Sequence, residues 1–146
     1  MLPVAATAGG LIDTNVIVAL VHRSDRRHEA CVRAYRNARL PLLTSEAALT
    51  EAFYLAKRIG LDTREIWRLL RSGAIRMSPI THEELPQIQS LMDDYADRPM
   101  DFADATLVYL GARERLSTIL TVDYGDFETY RLPGRKKFTI LPQPKR

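Results

Sequence analysis

The chain of 146 residues carries a single cysteine, Cys31, and three histidines, so it can close no internal disulfide and assemble no tetrahedral Cys/His zinc cluster. A chain with one thiol suits a reducing compartment, and the cytoplasm is the expected location. No apolar run is long enough to span a membrane. The Ala/Gly-rich start, Met1 to Gly10, lacks the basic segment and the long apolar stretch of a secretory signal; residues 1–9 are expected to be a short leader before the first strand. No glycine-rich loop runs into Lys-Ser or Lys-Thr, which excludes a P-loop NTPase. Cys31, His22 and His82 have no partner at catalytic spacing and no serine sits in a nucleophile elbow, so covalent catalysis has no candidate. Lysine is scarce, confined to Lys57, Lys136, Lys137 and Lys145.

Hydrophobic residues make up 46% of the chain and charged ones 27%, a globular composition at the length of one domain. A domain of this size buries on the order of two thirds of its unfolded surface, enough for a core without covalent staples. Lys and Arg total 21 against 18 Asp and Glu, a net charge of +3. That excess is compatible with an anionic partner, but where the charges lie matters more than their sum.

Apolar periodicity alternates between short runs and helical spacing. Leu11-Ile12 reads as a buried strand ending at Asp13, and Val16 to Val21 as a short apolar helix. His28 to Ala38 is an amphipathic helix with Cys31 and Tyr35 on one face, and Leu40 to Thr44 a second strand. Ala48, Ala52, Leu55 and Ile59 continue a helix from Ser45 that Gly60 stops. Asp62-Thr63-Arg64-Glu65 and Thr81-His82-Glu83-Glu84 have capping-box spacing. The first is expected to open a helix through Trp67 to about Gly73, the second one that turns Leu85, Ile88, Leu91 and Met92 inward. Ile75 to Ile80, Ser117 to Val122 and Phe138 to Leu141 read as strands, a helix fills about Asp101 to Leu116, and residues 142–146 form a loose tail. Such alternation implies an α/β domain, a parallel sheet with helices on both faces, whose ligands bind beyond the carboxyl ends of the strands.

The acids fall at that edge. Asp13 and Asp123 each end an apolar strand, Asp104 lies in the first turn of a helix that Asp101 opens, and Glu51 stands early in the helix after the second strand. A single acid in such a place is commonly a cap or turn residue, as Asp101, Asp126 and Glu46 can be. Asp13, Glu51, Asp104 and Asp123 as a set are not explained that way. Carboxylates gathered without a lysine repel one another by several kcal/mol at low effective dielectric. Mg²⁺ or Mn²⁺, hard cations that take oxygen ligands, would remove that cost and could activate water against a phosphodiester.

Leu11-Ile12-Asp13-Thr14-Asn15, Thr50-Glu51-Ala52, Met100-Asp101-Phe102-Ala103-Asp104-Ala105 and Leu120-Thr121-Val122-Asp123 with Asp126-Phe127 together resemble the acidic motifs of the PIN-domain ribonucleases. Within that family they resemble most the short bacterial toxins of the VapBC toxin–antitoxin class. The resemblance covers nearly the whole chain. It implies a single PIN domain with a three-layer α/β/α fold and a mostly parallel central sheet. It also implies an endoribonuclease in which Asp13, Glu51, Asp104 and Asp123 bind Mg²⁺ or Mn²⁺ and activate the attacking water. Thr14, Asn15 and Thr121 would orient the acids or the water, while Asp101 and Asp126 match positions that are acidic in part of the family. His28 fits a position that packs or caps. A cognate VapB-like antitoxin and a homodimer are implied by the resemblance alone.

Arg23, Arg26 and Arg27 crowd the loop after the first helix, and Arg64, Arg68 and Arg71 share a face of the Trp67 helix. Either set could draw RNA phosphates toward the acids, and either could be a solvated surface. The basic positions Arg131, Arg135, Lys136, Lys137, Lys145 and Arg146 stand under the same two readings, and Trp67 fits a core or a dimer surface. A phosphatase or phosphoacceptor of the haloacid-dehalogenase or receiver type also places Asp after its first strand. It needs a second acid two residues on, where Asn15 stands, or a lysine at the sheet end. A PIN-like module that binds RNA or protein without cutting is the non-catalytic alternative, and the presence of all four acids weighs against it.

Overall fold

The computed structural model describes residues 8–98 and 100–144. Its strands are β1 (Gly10–Ile12), β2 (Leu42–Thr44), β3 (Ile75–Met77), β4 (Thr118–Leu120), the two-residue β5 (Arg131–Leu132) and β6 (Lys136–Lys137), and β7 (Thr139–Leu141). Five of them form an all-parallel sheet in the order β3-β2-β1-β4-β7, and β5 pairs antiparallel with β6. The helices are α1 (Thr14–Val21), α2 (His28–Asn37), α3 (Glu46–Arg58), α4 (Arg64–Arg71), α5 (Leu85–Asp94), α6 (Phe102–Glu114) and α7 (Tyr124–Thr129).

Alternation along each short strand splits the core in two. Leu11, Leu43 and Ile119 face a cluster with Ile88, Leu107, Leu110, Phe127 and Tyr130. Ile12, Leu42 and Leu120 face the other, with Ile17, Cys31, Ala52, Ala56 and Ile66. Helices α1 to α4 thus cover one face and α5 to α7 the other, the α/β/α arrangement expected. Each fully buried Leu or Ile contributes on the order of 1.5–3 kcal/mol, so strands of three residues suffice when both faces are covered.

The chain moves outward from β1 through β2 to β3, then returns to place β4 on the other side of β1. The reversal leaves a crevice beyond the carboxyl ends of β1 and β4, the place where doubly wound sheets bind ligands. Asp13 directly follows β1. Asp123 follows β4 by three residues.

Several local expectations are corrected. The capping box at Thr81 forms, its amide donating to Glu84 Oε1 at 2.9 Å, but it opens a 3-10 turn before α5. The box at Asp62–Glu65 does not form. Thr63 has helical rather than extended backbone, so its hydroxyl caps nothing; Asp62 Oδ1 instead accepts from the Arg64 amide at 2.9 Å, and Glu65 pairs with Arg68. Of the apolar residues expected to line the core from α5, Ile88 is buried, Leu91 and Met92 are partly so, and Leu85 in the first turn is exposed. Gly60 does stop α3, at a φ of +80° that only glycine adopts without strain. Residues 1–7 of the expected leader and 145–146 of the expected tail, with Lys145 and Arg146, lie outside the described residues. Ala8 is buried, and the Gly9 amide donates to the Pro41 carbonyl at 3.0 Å.

Helix α6 lies so close to the sheet that a Cβ on Gly111 would meet the Leu116 carbonyl oxygen and Leu132 Cδ2 at 3.0 Å and Leu11 Cδ1 at 3.3 Å. Gly111→Val is therefore expected to lower unfolding stability by about 1–3 kcal/mol through overpacking. Urea denaturation should show the loss as a lower midpoint with unchanged slope, and a wild-type midpoint would contradict so tight a fit.

Candidate active site

Asp13 is the buried floor of the crevice. Its Oδ1 accepts from the Thr14 amide at 2.7 Å, capping α1, and its Oδ2 accepts from the Thr121 hydroxyl at 2.8 Å. Those bonds favour the charged form, but burial outweighs them, and Asp123 and Glu51 add like-charge repulsion. The carboxyl pKa is pushed up to about 6. Thr121 also accepts from the Asp123 amide at 3.0 Å, so one hydroxyl sets the relation of two acids. Thr14 donates to the Ala48 carbonyl at 2.8 Å and lies 3.5 Å from Glu51 Oε2. Among the described residues Asn15 makes no hydrogen bond to an acid: its Oδ1 accepts from the Val122 amide at 3.2 Å, fixing the turn that carries Asp123.

Asp104 enters from the first turn of α6, where Asp101 caps the helix by accepting the Asp104 amide at 2.8 Å. Capping is thus one role of Asp101, and its charge is a second. Burial, then Asp101, then Asp13 and Asp123 raise the Asp104 carboxyl to about 8, against the pull of a 2.9 Å hydrogen bond from the Tyr130 hydroxyl. Beneath it, the Thr106 hydroxyl is within hydrogen-bond distance of the Ser45 hydroxyl, which caps α3, and of the Ala103 carbonyl. The starts of α3 and α6 are tied together there. Glu51, exposed on α3, is raised by partial desolvation and by Asp101.

Asp126 is not in a plain turn but in the first turn of α7, which the sequence pattern did not reveal. Carboxylate oxygens of Asp104, Asp123 and Asp126 lie within 4.8 Å of one another. The Asp123 carboxyl is raised by burial and by sharing a hydrogen bond with Asp126. Arg98 approaches Asp126 Oδ1 at 3.8 Å and donates to the Gly125 carbonyl at 3.1 Å. The donors are all oxygen, at three or more carboxylates with elevated proton affinity, a set that fits Mg²⁺ or Mn²⁺ better than a softer metal. Among the described residues Asp104, Asp123 and Asp126 form the close carboxylate group; Asp13 lies outside it but near enough for like-charge repulsion with Asp104, Asp123 and Glu51, and Glu51 is exposed.

Tyr130 is the residue that sequence reasoning missed outright. It is fully buried, edge-on to Tyr95 and Phe127 with ring centroids at 5.1 and 5.2 Å, so its hydroxyl is aimed at Asp104 by packing. Its own pKa is driven far up by burial and by Asp104. Only its spacing behind Asp126-Phe127 hinted at a shared turn.

The two arginine sets separate. The loop of Arg26 and Arg27 borders Val122 and Tyr124, which flank Asp123. Helix α4 runs toward the amino end of β3, so Arg71 stands at the end of the sheet away from the acids. Arg64 and Arg68 make exposed pairs with Asp62 and Glu65. Trp67 is 51% exposed against Phe53, so it belongs to a surface and not to the core. His28 caps: its Nδ1 lies 2.7 Å from the Ala19 carbonyl.

Two outcomes follow from these contacts. Asp13 and Asp104 hold their protons more tightly folded than unfolded, since their ordinary value is 3.8. The ion-free protein is therefore expected to lose stability as pH rises from about 4 through 8, and a divalent cation bound at these acids would offset the loss. Thermal melts should show a larger rise in Tm on adding Mn²⁺ at pH 8 than at pH 5; equal rises would contradict the site. Tyr130→Phe keeps the ring packing but removes a bond that favours ionised Asp104. It should weaken Mn²⁺ binding, read by calorimetry, about ten-fold with a stability change near 1 kcal/mol.

Solved structures share the fold. The VapC20 toxin of Mycobacterium tuberculosis, a sarcin–ricin loop cleaving toxin, is 21% identical with a TM-score of 0.68, over 80% of this chain and 92% of that one. A toxin–antitoxin complex from Klebsiella pneumoniae contains a chain 22% identical at a TM-score of 0.64, over 86% of this chain and 93% of its own. No curated protein matches the sequence. Among the described residues, no helix is long and apolar enough to cross a membrane. The PIN domain model matches residues 10–131, and the chain belongs to the PIN domain family.

Proposed function

We propose that the chain is a single PIN domain acting in the cytoplasm as an Mg²⁺- or Mn²⁺-dependent endoribonuclease, the toxin of a toxin–antitoxin pair. The observation that carries the reading is the convergence of the Asp104, Asp123 and Asp126 carboxylates beside buried Asp13, at the switch point of a parallel sheet. Family membership supports the nuclease activity, and the likeness to a toxin and to a toxin–antitoxin complex supports the role. Asp13, Glu51, Asp104 and Asp123 would hold the ion, with Asp126 joining Asp104 and Asp123. When bound, a divalent cation makes a water nucleophilic near neutral pH and screens charge on phosphoryl oxygens.

The protein's own side chains do the rest. Thr121 and the Thr14 amide hold Asp13 in one orientation, and Tyr130 does the same for Asp104. The Asp123–Asp126 pair can accept the proton that leaves water as its oxygen bonds to phosphorus; the bond to the ribose oxygen breaks, and that oxygen takes a proton from solvent. Arg23, Arg26 and Arg27 would counter the repulsion between RNA and the acids, while Arg64, Arg68 and Arg71 are left to a solvated surface. A VapB-like antitoxin would restrain the enzyme, and a homodimer would be its working form.

With Mg²⁺ or Mn²⁺ the protein should cleave RNA, and Asp104→Asn should lower the rate by about 10²-fold or more at an unchanged or higher Tm, since it removes a repelled charge. Induced expression should arrest growth, and Asp13→Ala should relieve the arrest. Undiminished cleavage in EDTA would overturn the metal mechanism.

A further inference from the structure

Beside the acidic crevice, past β4 and β7, lies an open pocket of about 520 Å³ whose lining includes Arg26, Arg27, Glu29, Arg33, Val122 and Tyr124. Three guanidinium groups against one lining carboxylate make it basic, and the start of α2 adds the positive end of a helix dipole. Asp25, whose Oδ1 accepts from the Arg27 amide at 2.7 Å, and Asp123, between lining residues Val122 and Tyr124, are further acids nearby. Tyr124 forms a fixed wall, since its hydroxyl donates to the Pro142 carbonyl at 2.7 Å. The pocket reaches Val122 and Tyr124, the two neighbours of Asp123, so it adjoins the turn that carries this acid.

We propose that this pocket is a subsite for a nucleotide flanking the scissile bond, Arg26, Arg27 and Arg33 holding its phosphate and the Tyr124 ring its nucleoside. The proposal rests on the nuclease reading, and it assigns Arg33 and Tyr124, which that reading leaves unused. Its volume suits a nucleotide, within the roughly 300–1,000 Å³ of small-ligand sites. Arginine provides planar, bidentate recognition of phosphate, and an aromatic face stacks any base. An acidic protein segment could meet the same arginines, but it would have no use for a rigid aromatic wall abutting Asp123.

The test is binding, measured without cleavage. Fluorescence anisotropy of a labelled single-stranded RNA in EDTA should give a Kd at least ten-fold higher for Arg26→Ala/Arg27→Ala/Arg33→Ala than for wild type. The slope of log K against log salt should fall by about 1. Lys57→Ala/Arg58→Ala, a charge change at the far end of α3, should alter neither by more than two-fold. Should the triple variant fail to fold, Arg33→Gln alone should raise Kd about three-fold, and Tyr124→Leu should raise it without changing the salt slope. Equal losses in the pocket and control variants, or no loss in either, overturn the subsite, as does wild-type protein that binds no RNA. Loss of affinity for the co-expressed antitoxin with RNA binding intact assigns the pocket to protein and overturns it too. Arginine-dependent binding by a wild type that cuts nothing would leave the subsite standing while the nuclease reading fails.

Discussion

Burying a carboxylate at the end of the central strand is the constraint that organises this protein. Among the described residues Asp13 pairs with no cation; a backbone amide and the Thr121 hydroxyl are its hydrogen-bond donors. A buried charge with only neutral donors is costly, so both donors must be in place together. That requires α1 to begin at once after β1, and β4 to lie beside β1 with its turn in register. The pairing of Ile12 with Leu120, extended by the Asp13 amide to the Leu120 carbonyl at 2.9 Å, meets the second condition. Asn15 meets it again from α1 by holding Val122. The contacts that define the switch point are therefore the ones that hold the acid.

The same logic extends to Asp104. Its carboxyl faces several like charges and is held by Tyr130, a side chain whose place depends on Phe127, Tyr95 and the core under α6. Packing on the α5–α7 face thus sets an electrostatic feature of the crevice, while packing on the α1–α4 face sets Asp13 through α1. Neither carboxyl could be relaxed without disturbing one of the two cores. Proton affinities raised to about 6 and about 8 reflect burial first and like-charge repulsion second, a cost that a bound divalent cation would offset.

How far the sequence disclosed this depended on the range of the interaction. Strands reading Leu11-Ile12 and Ile119-Leu120 are buried on both faces, so they appear as unbroken apolar pairs, and the acid behind each is visible without a structure. Asp101 and Ser45 cap their helices through bonds spanning three residues, which spacing detects. Tyr130 and Asp104 are 26 residues apart and meet only after α7 folds back, and α7, six residues with Gly125 in its first turn, shows no apolar period. Asp126 was ambiguous for the same reason: alone it is a turn acid, and only the helix places it beside Asp123. The expected box at Asp62 failed through a backbone torsion at Thr63 that its side chain does not dictate.

A net charge of +3 conceals a division of labour at one end of the sheet. Between β1 and β4 the crevice is acidic, and a polyanion entering it alone would be repelled. Beyond β4, the turn after α1 and the first turns of α2 bring arginines against Val122 and Tyr124. Asp123 sits where the two regions join, on a turn whose geometry Thr121 and Asn15 fix from one side and whose next residue, Tyr124, is tied to Pro142 from the other. Attraction and repulsion would therefore act on neighbouring groups of one anion bound there rather than cancel over the surface. On the proposed reading, such a gradient would orient a charged chain as well as attract it, with the bond nearest Asp123 presented to the acids.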